Sequence, residues 1–125
     1  MSILSIKKLE KSYTHGDNTT HVLKGISLDI EEGSFISILG RSGSGKTTLL
    51  NVISTLLEFD KGKIIIDGHD ISKLSTKKIN TIRNNYIGFV FQEFNLVKDM
   101  SVLDNVATPL ILNGLSFKEA REKAL

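Results

Sequence analysis

The sequence predicts an α/β fold built around an anion-binding loop, and three observations predict it. Residues Gly40-Arg41-Ser42-Gly43-Ser44-Gly45-Lys46-Thr47 match the pattern G-x-x-x-x-G-K-[ST] at every fixed position. An apolar run, Phe35-Ile36-Ser37-Ile38-Leu39, stands before the loop, and a helix-type stretch, Thr48-Leu49-Leu50-Asn51-Val52-Ile53, stands after it. Strand, glycine-rich loop and helix in that order form the context in which such a loop cradles phosphate.

The other elements follow from periodicity and punctuation. Ile3–Leu9 alternates and reads as a strand. His15–Thr20 is polar, with a Gly16-Asp17-Asn18 turn signal. Val22–Ile30 reads as a second strand, and Glu31-Glu32-Gly33 as a turn into a third, Ser34–Leu39. The helix after the loop is expected to reach about Leu57. Asp60-Lys61-Gly62 turns the chain into Lys63–Asp67, and Asp67-Gly68 turns it again. Thr76–Asn84 reads as a helix with Ser75 as its N-cap, and Tyr86–Phe91 as a buried strand. Ser101 and Ser116 each stand three residues before an acid, Asp104 and Glu119, and open helices at about 102–112 and 117–125.

The loop's chemistry follows from its composition. A polyphosphate gives up strong hydration, so a site must offer many aligned donors. Glycines at 40, 43 and 45 let the main chain bend and approach the ligand. The N–H groups from about Gly43 to Thr48 then point into one nest, and the helix that follows adds the positive end of its dipole. Lys46 brings a charge to the β/γ oxygens, and Thr47 offers a hydroxyl to Mg²⁺. Ser42 and Ser44 either touch phosphate or only line the loop.

Composition narrows the function classes. The 125 residues suffice for one domain with a modest core, and 40% hydrophobic with 24% charged residues is ordinary for a globular chain. The net charge is +2, without a basic cluster interleaved with aromatics, so nucleic-acid binding has no compositional support. Lysines 7, 8, 11, 77 and 78 read as solvated surface. The chain has no cysteine, hence neither disulfide nor thiolate metal site, as in a reducing compartment. His15, His21 and His69 lack ligand spacing and read as polar loop residues. Met1–Lys7 shows no signal-peptide apolar region, and no run is long enough to span a bilayer.

Read in order, these features resemble the ATP-binding subunit of ABC transporters. Tyr13 follows the first strand; Val22-Leu23-Lys24-Gly25-Ile26-Ser27-Leu28 is similar to that family's strand before the phosphate loop; Thr48-Leu49-Leu50-Asn51 follows the loop. Gly62-Lys63-Ile64-Ile65-Ile66-Asp67-Gly68 resembles its hairpin, and Ile87-Gly88-Phe89-Val90-Phe91-Gln92 its Q-loop strand. Phe94-Asn95-Leu96-Val97 through Ser101-Val102-Leu103-Asp104-Asn105-Val106 is most similar to the macrolide-export and lipoprotein-release branch. Arg41 stands where proline is common in the family.

The resemblance implies a P-loop ATPase of ABC type with an N-terminal antiparallel β subdomain and a truncated helical subdomain. Residues 1–39 would supply β strands and 40–57 the loop and helix. Residues 58–92 would supply the hairpin, a helix and the Q-loop strand, and 93–125 the start of the helical subdomain. It implies that Tyr13 stacks on adenine, that Thr48 touches the α-phosphate, and that Gln92 reaches the Mg²⁺ and attacking-water region and reports nucleotide state to a membrane subunit. The bland alternatives are a surface or core tyrosine for Tyr13 and a polar strand end for Gln92. Ile64-Ile65-Ile66-Asp67 mimics a magnesium-binding Walker B strand, but Gly68 follows where the family has glutamate, so it reads as a hairpin.

The implied partners are an integral-membrane permease and a second ATP-binding subunit in a head-to-tail pair, with the ATPase peripheral to the membrane on its cytoplasmic side. The family's signature segment, Walker B Asp-Glu pair and switch histidine would all fall beyond Leu125. The sequence therefore reads as the first half of an ATPase subunit: isolated, it is expected to bind nucleotide with negligible turnover. The strands at 34–39 and 86–91 would then lack neighbours and leave unpaired backbone and apolar edges. A soluble ABC ATPase of DNA repair or translation, or a nucleotide-binding module without catalysis, are the rival readings.

Overall fold

The computed structural model describes residues 2–125. They form two compact units, one ending at Gly88 and one spanning Phe89–Leu125.

In the first unit, β1 (Ser2–His15) and β2 (Asn18–Glu31) make a long antiparallel hairpin. His15 pairs with Asn18, so the connection is the two-residue turn Gly16-Asp17. Both strands run further than their alternation indicates, because the turn residues lie closer to the strand ends than the polar segment suggested. This also places His15 and His21 on strands rather than in loops. The register slips between Ile6 and Leu9, where Lys8 adopts φ 47°. This bulge explains why Ile6 and Leu9, three apart, are both fully buried when strict alternation would put them on opposite faces.

β3 (Lys61–Ile66) pairs antiparallel with β1, and β4 (His69–Asp70) folds back on β3, giving the order β2-β1-β3-β4. Asp67 and Gly68 form the turn between β3 and β4 with φ of 45° and 76°, the paired positive values of a tight hairpin. The Walker B reading of this segment is thereby excluded. Asp70 accepts the Ser72 N–H at 3.2 Å, opening a short 3₁₀ turn, Ile71–Lys73. Helix α1 (Lys46–Ile53) and helix α2 (Thr76–Tyr86) complete the unit. Their residues Leu49, Val52 and Ile82 join Ile6, Leu9, Leu23, Ile64, Ile66 and Ile71 in one buried cluster.

α1 stops short of the expected Leu57. Ser54 turns its hydroxyl back onto the Leu50 carbonyl at 2.7 Å, and Thr55 takes a left-handed φ of 60°. A β-branched residue pays strain there. Arg83 of α2 holds it in place, donating through Nε to Thr55 Oγ1 at 2.9 Å and through a second nitrogen to the Thr55 carbonyl. α2 begins at the expected residue, although the Ser75 side chain makes no capping bond, and it continues through Tyr86.

Two expected strands are not strands. Residues 34–40 and 87–91 have no regular structure, and the described residues supply no strand that pairs with them. Phe35 is 94% exposed and Val90 95% exposed. Apolar runs of this kind become strands only when neighbours satisfy their N–H and C=O groups.

The second unit contains α3 (Val102–Leu112) and α4 (Phe117–Ala124). Ser101 caps α3, accepting the Asp104 N–H at 3.1 Å. Ser116 and Glu119 form the full capping box at α4. Ala107 and Ala120 are completely buried, small side chains that let two helices approach closely. Arg121 of α4 is paired with Asp104 of α3.

Candidate functional site

The glycine-rich loop leads into the N-terminus of α1. Gly45 is the N-cap, with φ 90°. Its carbonyl accepts the first helical bond from the Leu49 N–H at 2.8 Å. No side chain caps this end and its first turn carries no acid, so nothing in the helix competes for its leading N–H groups or neutralises its positive end. Gly45 also lies against β2: a Cβ there would stand 2.9 Å from Val22 Cγ1 and 3.3 Å from the Val22 carbonyl oxygen. The sheet therefore fixes how closely the loop can be drawn in, and only glycine meets both conditions.

Lys46 bends back over the loop. Its ammonium donates to the Gly40 carbonyl at 2.9 Å, the Arg41 carbonyl at 2.7 Å and Ser44 Oγ at 3.4 Å. A Cβ on Gly40 would come within 2.6 Å of that Ser44 hydroxyl and 3.8 Å of Lys46 Cδ. Ser42, Gly43, Ser44 and Thr47 are exposed, and Thr48 is half-buried at the first turn of α1. An uncapped helix start, a bent run of main-chain donors, an exposed threonine hydroxyl and one lysine already gathered over the loop fit a phosphate chain with a divalent cation.

Of the residues singled out in the sequence, the fold brings together Tyr13 and the loop helix. The hydroxyl of Tyr13, near the end of β1, is 3.4 Å from Thr48 Oγ1, and the residue is 44% exposed. Gln92 is exposed and belongs to the second unit.

One expectation about this region is overturned. Lys11 is not solvated surface: its side chain retains 14% of its accessibility and is paired with Asp60 at 3.3 Å. The Lys11 ammonium lies over the Tyr13 ring, 5.7 Å from its centroid. Asp60 in turn accepts the Ser12 N–H at 2.6 Å, while its own N–H donates to the Glu10 carbonyl at 2.9 Å. The Ser12 N–H first, and then Lys11, hold the Asp60 carboxyl below the usual carboxylate range against partial desolvation. Neither residue carries a motif, and 49 positions separate them in sequence. Only the antiparallel seating of β1 beside the turn into β3 reveals the pair.

Comparison with known proteins places this geometry in a family. The family model described as ABC transporter matches residues 23–125. The chain is 41% identical over 124 residues to the macrolide export ATP-binding/permease protein MacB of Mannheimia succiniciproducens, covering 99% of this chain and 19% of that protein. It is 42% identical over 123 residues to the bacitracin export ATP-binding protein BceA of Halalkalibacterium halodurans, covering 98% of this chain and 49% of that one. The dimeric structure of the ATP-binding cassette MJ0796, in a post-hydrolysis state bound to ADP and Pi, superposes with a TM-score of 0.88 at 40% identity, over 97% of this chain and 53% of that one. The chain thus spans about half the length of the separate ATP-binding relatives and a smaller share of the fused ones. Among the described residues no helix is long and apolar enough to cross a membrane. Likeness of this extent, in sequence and in the α/β P-loop ATPase fold with its antiparallel β subdomain and reduced helical part, makes the chain a member of the ABC transporter family, in its ATP-binding domain.

Proposed function

We propose that this chain binds MgATP through residues 40–48 and, in its full-length form, hydrolyses it to power an integral-membrane permease in the direction of export. The main-chain N–H groups around Gly43, Gly45 and Lys46 would hold the phosphates, with Lys46 as the charge at the β/γ oxygens. Thr48 serves the α-phosphate, Tyr13 stacks on adenine, and Thr47 would hold Mg²⁺, which supplies charge neutralisation for phosphoryl transfer. Ser42 and Ser44 line the loop. Gln92 would report nucleotide state to the permease. A second ATP-binding subunit pairs head-to-tail with this one, at the cytoplasmic face of the membrane. The names of the relatives, macrolide export and bacitracin export, support an exporter.

The observation that carries this reading is Lys46, whose ammonium is gathered over the loop by the Gly40 and Arg41 carbonyls beside an uncapped helix start. A hydrogen bond to a charged group contributes roughly 1.5–3 kcal/mol, and about 1.4 kcal/mol is a factor of ten. Lys46→Ala is therefore expected to weaken MgATP binding at least about tenfold in a calorimetric titration. Unchanged affinity would refute the assignment.

A further inference from the structure

We propose that Lys11 is a positioning residue for Tyr13: anchored by Asp60, its ammonium covers one face of the ring and presents the other to a purine base. The inference rests on the base-stacking reading of Tyr13 and deepens it.

Tyr13 stands near the end of a hairpin and is 44% exposed, so by itself its ring would sample several rotamers. The structure restrains it at two places. Its hydroxyl edge meets Thr48 Oγ1 at 3.4 Å, and its face meets the Lys11 ammonium, 5.7 Å from the centroid. Lys11 is a long, flexible side chain and would make a poor clamp unless held. Asp60 holds it at 3.3 Å. Asp60 is itself fixed to the main chain of β1 by the Ser12 N–H at 2.6 Å and by its own N–H to the Glu10 carbonyl. The restraint thus runs from the backbone of β1, through Asp60 and Lys11, onto the ring. A ring fixed beforehand spares the ordering cost otherwise met when the base arrives. A cation over one π-face also leaves the opposite face as the one for stacking.

The test uses the full-length protein, with two probes titrated into it: MgATP, which carries a base, and magnesium tripolyphosphate, which carries only the phosphates. Lys11→Met and Asp60→Asn are each expected to weaken MgATP binding about three- to tenfold, the range corresponding to one ordered side chain, and to leave tripolyphosphate binding unchanged. Lys11→Arg should retain wild-type affinity, since a guanidinium also pairs with Asp60 and lies over a ring. In a Tyr13→Ala background, Lys11→Met should cost nothing further. Equal weakening of both probes would overturn the proposal, because Lys11 would then act as a charge toward phosphate. A lower melting temperature with unchanged MgATP binding would also overturn it, leaving Lys11 a purely structural residue. If Tyr13→Ala weakens MgATP while Lys11→Met and Asp60→Asn do not, the proposal alone fails. If Tyr13→Ala has no effect, the base-stacking reading falls and takes the proposal with it.

Discussion

Gly45 is where the phosphate loop meets the sheet, and its replacement by alanine separates two costs that most glycine substitutions mix. The first is conformational. At φ 90° an L residue lies outside its favoured regions, which costs about 1–2 kcal/mol. The second is steric. The new methyl would stand 2.9 Å from Val22 Cγ1, 3.3 Å from the Val22 carbonyl oxygen and 3.4 Å from Leu23 Cδ2. Val22 Cγ1 can rotate aside, but the carbonyl belongs to β2 and Leu23 is buried in the core, so about 1–3 kcal/mol more is expected from overpacking. Gly43 is the internal control: its φ of 77° is equally left-handed, yet a Cβ there meets nothing within 4 Å. Gly43→Ala should therefore show only the first cost. At about 4 °C per kcal/mol for a domain of this size, Gly45→Ala should melt at least roughly 4 °C below Gly43→Ala. Thermal denaturation followed by circular dichroism, without nucleotide, reads the difference directly. Equal melting temperatures would show that β2 does not limit the loop's approach, and the account of Gly45 would be wrong.

The remaining predictions concern electrostatics and capping. The Asp60 carboxyl titrates below its ordinary 3.8 in the folded protein, chiefly because it accepts the Ser12 N–H and with added help from Lys11. Its contribution to stability is therefore complete above that value and lost as pH falls through the folded-state pKa. Melting temperature against pH should fall more steeply below 3.8 for the wild type than for Asp60→Asn, and parallel curves would contradict the bond. In the second unit, Ser116→Ala removes an N-cap whose hydroxyl accepts the Glu119 N–H and leaves Glu119 bonded only to the Ser116 N–H. A cap of this type contributes about 1 kcal/mol, so the amides of Phe117–Ala120 should exchange about fivefold faster, measured by hydrogen–deuterium exchange. Unchanged exchange there would mean that the cap does not hold the helix end.

Much of the local structure was written in short segments. Asp67-Gly68 demanded a tight turn because only such residues accept two successive positive φ values, and the structure forms it there. Ser116 and Glu119 announced a capping box whose partners sit three residues apart, within reach of one helical turn. A helix directly after the glycine-rich loop is legible too, although α1 begins at Lys46, two residues before the apolar stretch that announces it. The elements misread were those whose fate depends on distant partners. Ser34–Leu39 and Tyr86–Phe91 have strand composition, but a strand is a pairing and no described strand pairs with them. The end of α1 was misplaced because Arg83, far along the chain, stabilises Thr55 in the conformation that stops the helix. Lys11 looks like ordinary solvated surface in the sequence because its partner Asp60 is remote, and the acid beside it, Glu10, pairs with Lys61 instead.

By itself the sequence determined the glycine-rich loop, the turns at Gly16-Asp17 and Asp67-Gly68, the caps at Ser101 and Ser116 and the family, because each depends on residue types within a few positions of one another. The tertiary structure alone decided that Tyr13 stands beside Thr48, that a bulge turns both Ile6 and Leu9 into the core, and that Asp60 reaches across to hold Lys11 over the Tyr13 ring. These are pairings between strands and helices far apart in the chain. Their energies arise from burial and charge at close range, and such proximity exists only after the sheet has set its register.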